Sequence, residues 1–164
     1  MTGRVCKLLL TAGMALYFTL VAFGNLTDYD TNFRFVQHVM SMDSIFPDST
    51  LQWRAITSPL LHRLFYAAII AWEATAAILC WLGVIQLGRA LHADASRFAR
   101  AKRVAMSGLV VGCLLWLVAF LCVGGEWFAM WQSPTWNGQT VAFRMFTVNG
   151  IVLLVLLQPD AEGR

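Results

Sequence analysis

Glu73 is the side chain in this sequence with the most chemical leverage, because it stands alone in an apolar run, flanked by Ala71, Trp72 and Ala74. An ionisable group in hydrocarbon costs at least about 2.5–3.5 kcal/mol on insertion scales, so it needs a partner or a purpose. Arg144 is isolated in the same way within the last apolar run, with Asn149 beyond it and Glu126 at the end of the run before. At a helical rise of about 1.5 Å per residue, Glu73 lies roughly 18 Å from the start of its run, close to a bilayer midplane. Arg144 lies about 6–8 Å in, shallow enough for its side chain to reach outward. Two pairings are therefore expected. Glu126 with Arg144 would tie two helices at a rim, and Glu73 with Asn149, or with Arg144 turned inward, would tie two helices at depth. Either pairing could be a structural tie, and Glu73 could instead relay protons or hold a cation.

Two further groups carry potential chemistry. Trp127, Trp131 and Trp136 crowd the stretch from Gly124 to Gln139, and with Trp72 they could wall an aromatic ligand site. The structural reading is an indole belt at the headgroup level. His38, Met40 and Met42, beside Asp43, offer the imidazole and thioether donors that suit Cu(I). On a helix, however, positions two apart diverge by about 200°, and both methionines are needed for an apolar face. No metal is expected. His62 sits at the edge of a run and His38 and His92 in connecting segments, so haem held between helices lacks its ligands. HExxH, GxSxG and glycine-rich phosphate loops are missing too, and no cofactor is expected. The 4 cysteines show no CxxC spacing and read as small apolar residues.

The elements that must position these side chains are four apolar runs, over about 8–27, 60–87, 104–125 and 140–158. Each matches the ~20 residues that cross a bilayer. With 59% hydrophobic residues and a mean hydropathy of +0.64, little is left for a water-soluble core. The fold expected is all-α, a single membrane domain of four transmembrane helices. The first run has a basic start at Arg4 and Lys7 and a loosely cleavage-like Ala22-Phe23-Gly24, but its length is that of a retained anchor.

Charge sets the expected orientation. Arg4 and Lys7 lie before the first run, and Arg89, Arg97, Arg100, Lys102 and Arg103 crowd the connection 88–103 against Asp94 alone. Basic residues collect in the cytosol, so both termini are expected there. The segments 25–58 and 124–139 then face outward. This basic set is too small to track nucleic acid. In the first outer segment Phe33, Val36 and Met40 recur at helical spacing, with Arg34, Gln37, His38 and Ser41 on the other arc, which predicts a short amphipathic helix. Asp30 or Thr31 would cap it and Pro47 would end it, while Pro59 opens the second span. Ala67, Ala68, Ala71, Ala74, Ala76 and Ala77 make that span thin, and Gly108 with Gly112 forms a GxxxG that permits backbone contact.

Several stretches taken together carry a resemblance: Asn25-Leu26-Thr27-Asp28-Tyr29, Phe35-Val36-Gln37-His38-Val39, Ala71-Trp72-Glu73-Ala74, Gly124-Gly125-Glu126-Trp127 through Gln132, and Trp136-Asn137-Gly138-Gln139. With them the chain resembles, over almost its whole length, the bacterial family of predicted small integral membrane proteins, domain of unknown function 2165. The resemblance implies four spans in the bacterial inner membrane and transfers no activity, cofactor or catalytic residue. The function expected is that of a non-enzymatic accessory or oligomeric membrane protein with a Trp-rich periplasmic cap. Its expected partners are the lipid bilayer and a membrane protein or a second copy of itself. The alternatives are a small ion or proton transporter using Glu73, and a lipid or quinone site under the Trp loop.

Overall fold

A bilayer offers no water to satisfy backbone groups, so an apolar run of spanning length has one stable form, a helix. The computed structural model, which describes residues 1–160, is all-helical over them and has four helices long and apolar enough to cross a membrane. These are α1 (Thr2–Thr27), α3 (Pro59–Arg89), α4 (Ala95–Leu114, continuing in a wider winding to Trp127) and α5 (Gln139–Leu157). The amphipathic α2 (Tyr29–Ser41) lies between the first two. α3 packs against both α1 and α4, α4 packs against α5, and α5 closes the ring on α1.

The helices outrun the apolar runs, because hydropathy marks the bilayer and not where backbone hydrogen bonding stops. α1 begins at Thr2, so Arg4 and Lys7 are helical. Asp94 caps α4, accepting from the Arg97 amide at 2.7 Å, so the basic stretch is mostly helix. Hydrogen bonds from the Ser96 hydroxyl and the Arg97 amide hold the Asp94 carboxyl below its usual range. At α2 the boundary residue is Asp28, and Thr31 Oγ1 donates to its carboxylate at 2.9 Å. That helix stops at Met42, which turns left-handed at φ 52°, well before Pro47. Pro59 does open α3.

Close approach rests on glycine. A Cβ on Gly83 would stand 2.5 Å from Ala105 Cα, and one on Gly108 2.8 Å from the Cys80 amide nitrogen, so α3 and α4 touch backbone to backbone. Both glycines of the GxxxG are buried, and Gly112 faces the Phe18 ring and Asn149. This is how helices gain contact in lipid, where burying apolar surface alone gives no net drive. The alanines of α3 do not share one face: Ala76 and Ala77 are buried, while Ala67, Ala68 and Ala71 are exposed.

At the end of the bundle where α1 begins and α5 ends, Lys7 and Lys102 grip Asp160 at 2.7 and 2.8 Å, and both donate to the Gln158 carbonyl. Burial pushes the Asp160 carboxyl up, but the hydrogen bonds and charge of the two lysines outweigh it and hold it below the ordinary value. Arg4 donates to the carbonyls of Leu91 and Ala93 and lies over the Phe98 ring. The opposite end is roofed by α2 and residues 128–133, where Val36, Met40, Met42, Phe128 and Met130 form an apolar cluster with Tyr66 and Ile70 of α3.

Candidate functional site

Glu73 is 2% exposed, midway along α3. Its partner comes from α1: Asn25 Nδ2 donates to Glu73 Oε2 at 2.7 Å. Asn25 Oδ1 accepts in turn from Asn32 Nδ2 of α2 at 2.6 Å, and Tyr66 donates its hydroxyl to the Asn25 carbonyl at 3.2 Å. Tyr66 and Glu73 lie two turns apart on one face of α3, and the Tyr66 ring is held edge-on by Tyr29 at 4.7 Å. The polar chain Asn32–Asn25–Glu73 thus runs from the roof to the middle of the bundle.

These residues line a cavity of about 240 Å³, shared with Trp116, Phe120, Gly138 and Val141. The Trp116 indole N–H is buried and has no hydrogen-bond partner among the described residues. A second cavity, also about 240 Å³, lies beside it between α3 and the later, wider-wound part of α4, lined by Phe65, Ala68, Trp72, Val118, Ala119 and Val123 and roofed by Val39 and Met40. Its lining is almost wholly apolar. The two adjoin through Phe35, Val36, Ile69 and Phe120, which line both. The rings of Phe35 and Phe120 stack with centroids 6.4 Å apart, forming the partition.

Both cavities owe their wall to an unusual piece of α4. From Leu115 to Trp127 the winding is that of a π-helix for 13 residues, ending where the Phe128 amide donates to Val123 O at 3.0 Å. Such i→i+5 bonding normally occurs as single-turn bulges, often at functional sites.

Not all the expected site residues converge. Asn149 does not meet Glu73; its amide donates to the Leu109 carbonyl at 2.7 Å and lies 3.2 Å from Cys113 Sγ, tying α5 to α4. Gly112 leaves the room it needs, since a Cβ there would stand 2.8 Å from Asn149 Nδ2. Glu126 and Arg144 are both exposed, and neither is in an ion pair among the described residues. The carbonyls of Glu126 and Trp127 instead receive Arg54 Nη1 at 3.4 and 3.3 Å.

The tryptophans disperse as well. Trp72 lines the apolar cavity and donates to Val111 O at 3.0 Å, whereas Trp127 meets Trp53 and Trp131 meets Phe46. Trp136 stacks on His38 at 4.4 Å, and His38 Nδ1 lies 2.7 Å from Asp43 Oδ2. Met40 and Met42 turn instead into the apolar cluster, so His38, Met40 and Met42 share no face.

Sequence reasoning overlooked Asn25, Asn32, Tyr66 and Trp116. The seven-residue spacing of Tyr66 and Glu73 was the available signal. The pairing of Asn25 with Glu73 had none, because it depends on which helices become neighbours. No curated protein and no solved structure matches this chain. The model of one family, described as predicted small integral membrane protein (DUF2165), matches residues 3–159, and the chain belongs to that family.

Proposed function

We propose that this is a non-enzymatic inner-membrane protein that binds an amphipathic, lipid-like molecule. The apolar part of the guest would lie between α3 and α4, and its hydrogen-bonding head would meet Glu73. The observation that carries this reading is the shared wall: an apolar cavity open beside α3 adjoins one holding a buried carboxyl and an unpaired indole donor. Small molecules take pockets of about 300–1,000 Å³, a range the two cavities reach together and neither reaches alone. Basic residues concentrated at the end with the termini support an orientation in which that end is cytosolic and the aromatic cap periplasmic.

Mass analysis of lipids retained by protein purified from native membranes tests this. Ala68→Trp fills the apolar cavity from an exposed position and should abolish retention of a specific molecule, and Glu73→Gln should weaken it. Equal retention by all three forms would sink the proposal. Ion flux in proteoliposomes that Glu73→Gln abolishes would point instead to a transporter.

A second reading, an accessory protein that docks a membrane partner or a second copy, is favoured by one observation. Trp53, Trp127, Trp131 and Phe46 stand exposed together on the cap. Copurification of a stable partner that Trp53→Ser and Trp131→Ser release would support it, and a solitary monomer in mild detergent would count against it.

A further inference from the structure

The end of the bundle where α1 begins and α5 ends carries a third hollow, of about 260 Å³, between the last turn of α3 and the first turns of α4. Gln86, Arg89, Ala90, Arg97, Arg100 and Ala101 line it, so three arginines share one concavity that, among the described residues, no carboxylate lines. None of the three arginines is in an ion pair among the described residues. Asp94, the nearest acid along the chain, accepts from the Ser96 hydroxyl and the Arg97 amide, forms no ion pair among the described residues, and feels the charge of Arg100. Arg100 makes one hydrogen bond, to Ser96 Oγ at 3.3 Å. The cations that hold the fold together are different ones: Arg4, Lys7 and Lys102 are buried on carbonyls and on Asp160. These three arginines are thus left facing a hollow without a fold-holding role.

A second feature states what the occupant looks like. One turn further into the membrane on α3, Leu82 and Ile85 are exposed, in register with Gln86 and Arg89. A ligand that fits places an anion among the guanidiniums and an apolar chain along Leu82 and Ile85. Guanidinium forks match phosphate oxygens in pairs, and the amino end of α4 adds its positive dipole. We propose that this hollow binds the phosphate headgroup of an anionic phospholipid. The site is separate from the two cavities under the cap, and basic pockets between spanning helices are built for this chemistry.

The test is native mass spectrometry of the full-length protein from nanodiscs of phosphatidylcholine containing a minor fraction of phosphatidylglycerol, counting phosphatidylglycerol adducts. Arg97→Gln and Arg103→Gln each remove one charge from the same exposed stretch, but only Arg97 lines the hollow. Arg97→Gln should lower retention about fivefold, the equivalent of about 1 kcal/mol per arginine at a membrane surface. Arg103→Gln should change it less than about twofold, and combining Arg89→Gln, Arg97→Gln and Arg100→Gln should remove the preference for phosphatidylglycerol. Equal losses from Arg97→Gln and Arg103→Gln would overturn the proposal in favour of diffuse charge. Displacement of the lipid adducts by millimolar inorganic phosphate would overturn the lipid assignment in favour of a soluble phosphate. Should the triple variant fail to fold, the two single variants still decide.

Discussion

Asn25→Leu is the sharpest probe of the buried polar chain, because it keeps the branched shape of the side chain while removing both amide heteroatoms. The Asn25 side chain makes two hydrogen bonds, to Glu73 at 2.7 Å and from Asn32 at 2.6 Å. Hydrogen bonds between helices in a bilayer average about 0.6 and reach about 1.7 kcal/mol, whereas one that leaves a buried ionisable group unpaired costs about 1.5–3 kcal/mol. Glu73 is 2% exposed, so its bond belongs near the upper figure. Asn25→Leu is therefore expected to destabilise by about 2–3 kcal/mol. Glu73→Leu added to Asn25→Leu should cost less than the sum of the two changes, since it removes the group left unpaired, with a coupling of about 1–2 kcal/mol. Reversible unfolding in mild detergent titrated with dodecyl sulfate, followed by helical circular dichroism, measures each corner of the cycle. Additivity to within about 0.5 kcal/mol would refute the coupling.

Four other substitutions have definite expected outcomes. Asp160→Asn removes the charge between Lys7 and Lys102 and should cost about 1–3 kcal/mol at neutral pH. Because the folded carboxyl titrates below its ordinary 3.8, that stabilisation is complete above this pH and fades as pH falls below it. Melting midpoints of wild type and Asp160→Asn should converge in acid, and a gap that ignores pH would disprove the ion pair. Gly83→Ala drives a methyl into the Ala105 backbone and should destabilise by about 1–3 kcal/mol. Gly13→Ala, which meets nothing within 4 Å, should stabilise by up to about 1 kcal/mol, and equal midpoints for the two would refute the close contact. Arg54 lies 4.9 and 5.3 Å from the Trp127 and Trp53 ring centroids, so Arg54→Leu should cost about 1–2 kcal/mol and shift tryptophan emission; an unchanged spectrum would remove Arg54 from the cap.

The spans and α2 were legible because hydropathy and periodicity are local properties of the chain. Glu73 was legible as an anomaly for the same reason, but its partner was not. Asn149 lies at a comparable depth, yet its amide is taken by the Leu109 carbonyl of α4, while Glu73 meets Asn25 of α1. The rim pairing of Glu126 with Arg144 assumed regular α winding. With i→i+5 bonding over Leu115–Trp127 each residue turns through a smaller angle, which changes the direction in which Glu126 leaves the helix. The sequence shows no cause for that winding beyond Gly124 and Gly125 near its end. The arginine hollow was legible as charge but not as shape, since its concavity exists only where the end of α3 meets the first turns of α4.

The grip of Asp160 on Lys7 joins residues 153 positions apart. During synthesis, the first helix has already left the ribosome long before its latch is made. Until then the Lys7 and Lys102 ammonium groups lack this acid, and the apolar packing of α5 on α1 stands without its ionic latch. Any bulky fusion placed directly after this aspartate would thus weigh on that latch, and the same cargo hung from the roof at the opposite end of the bundle would not.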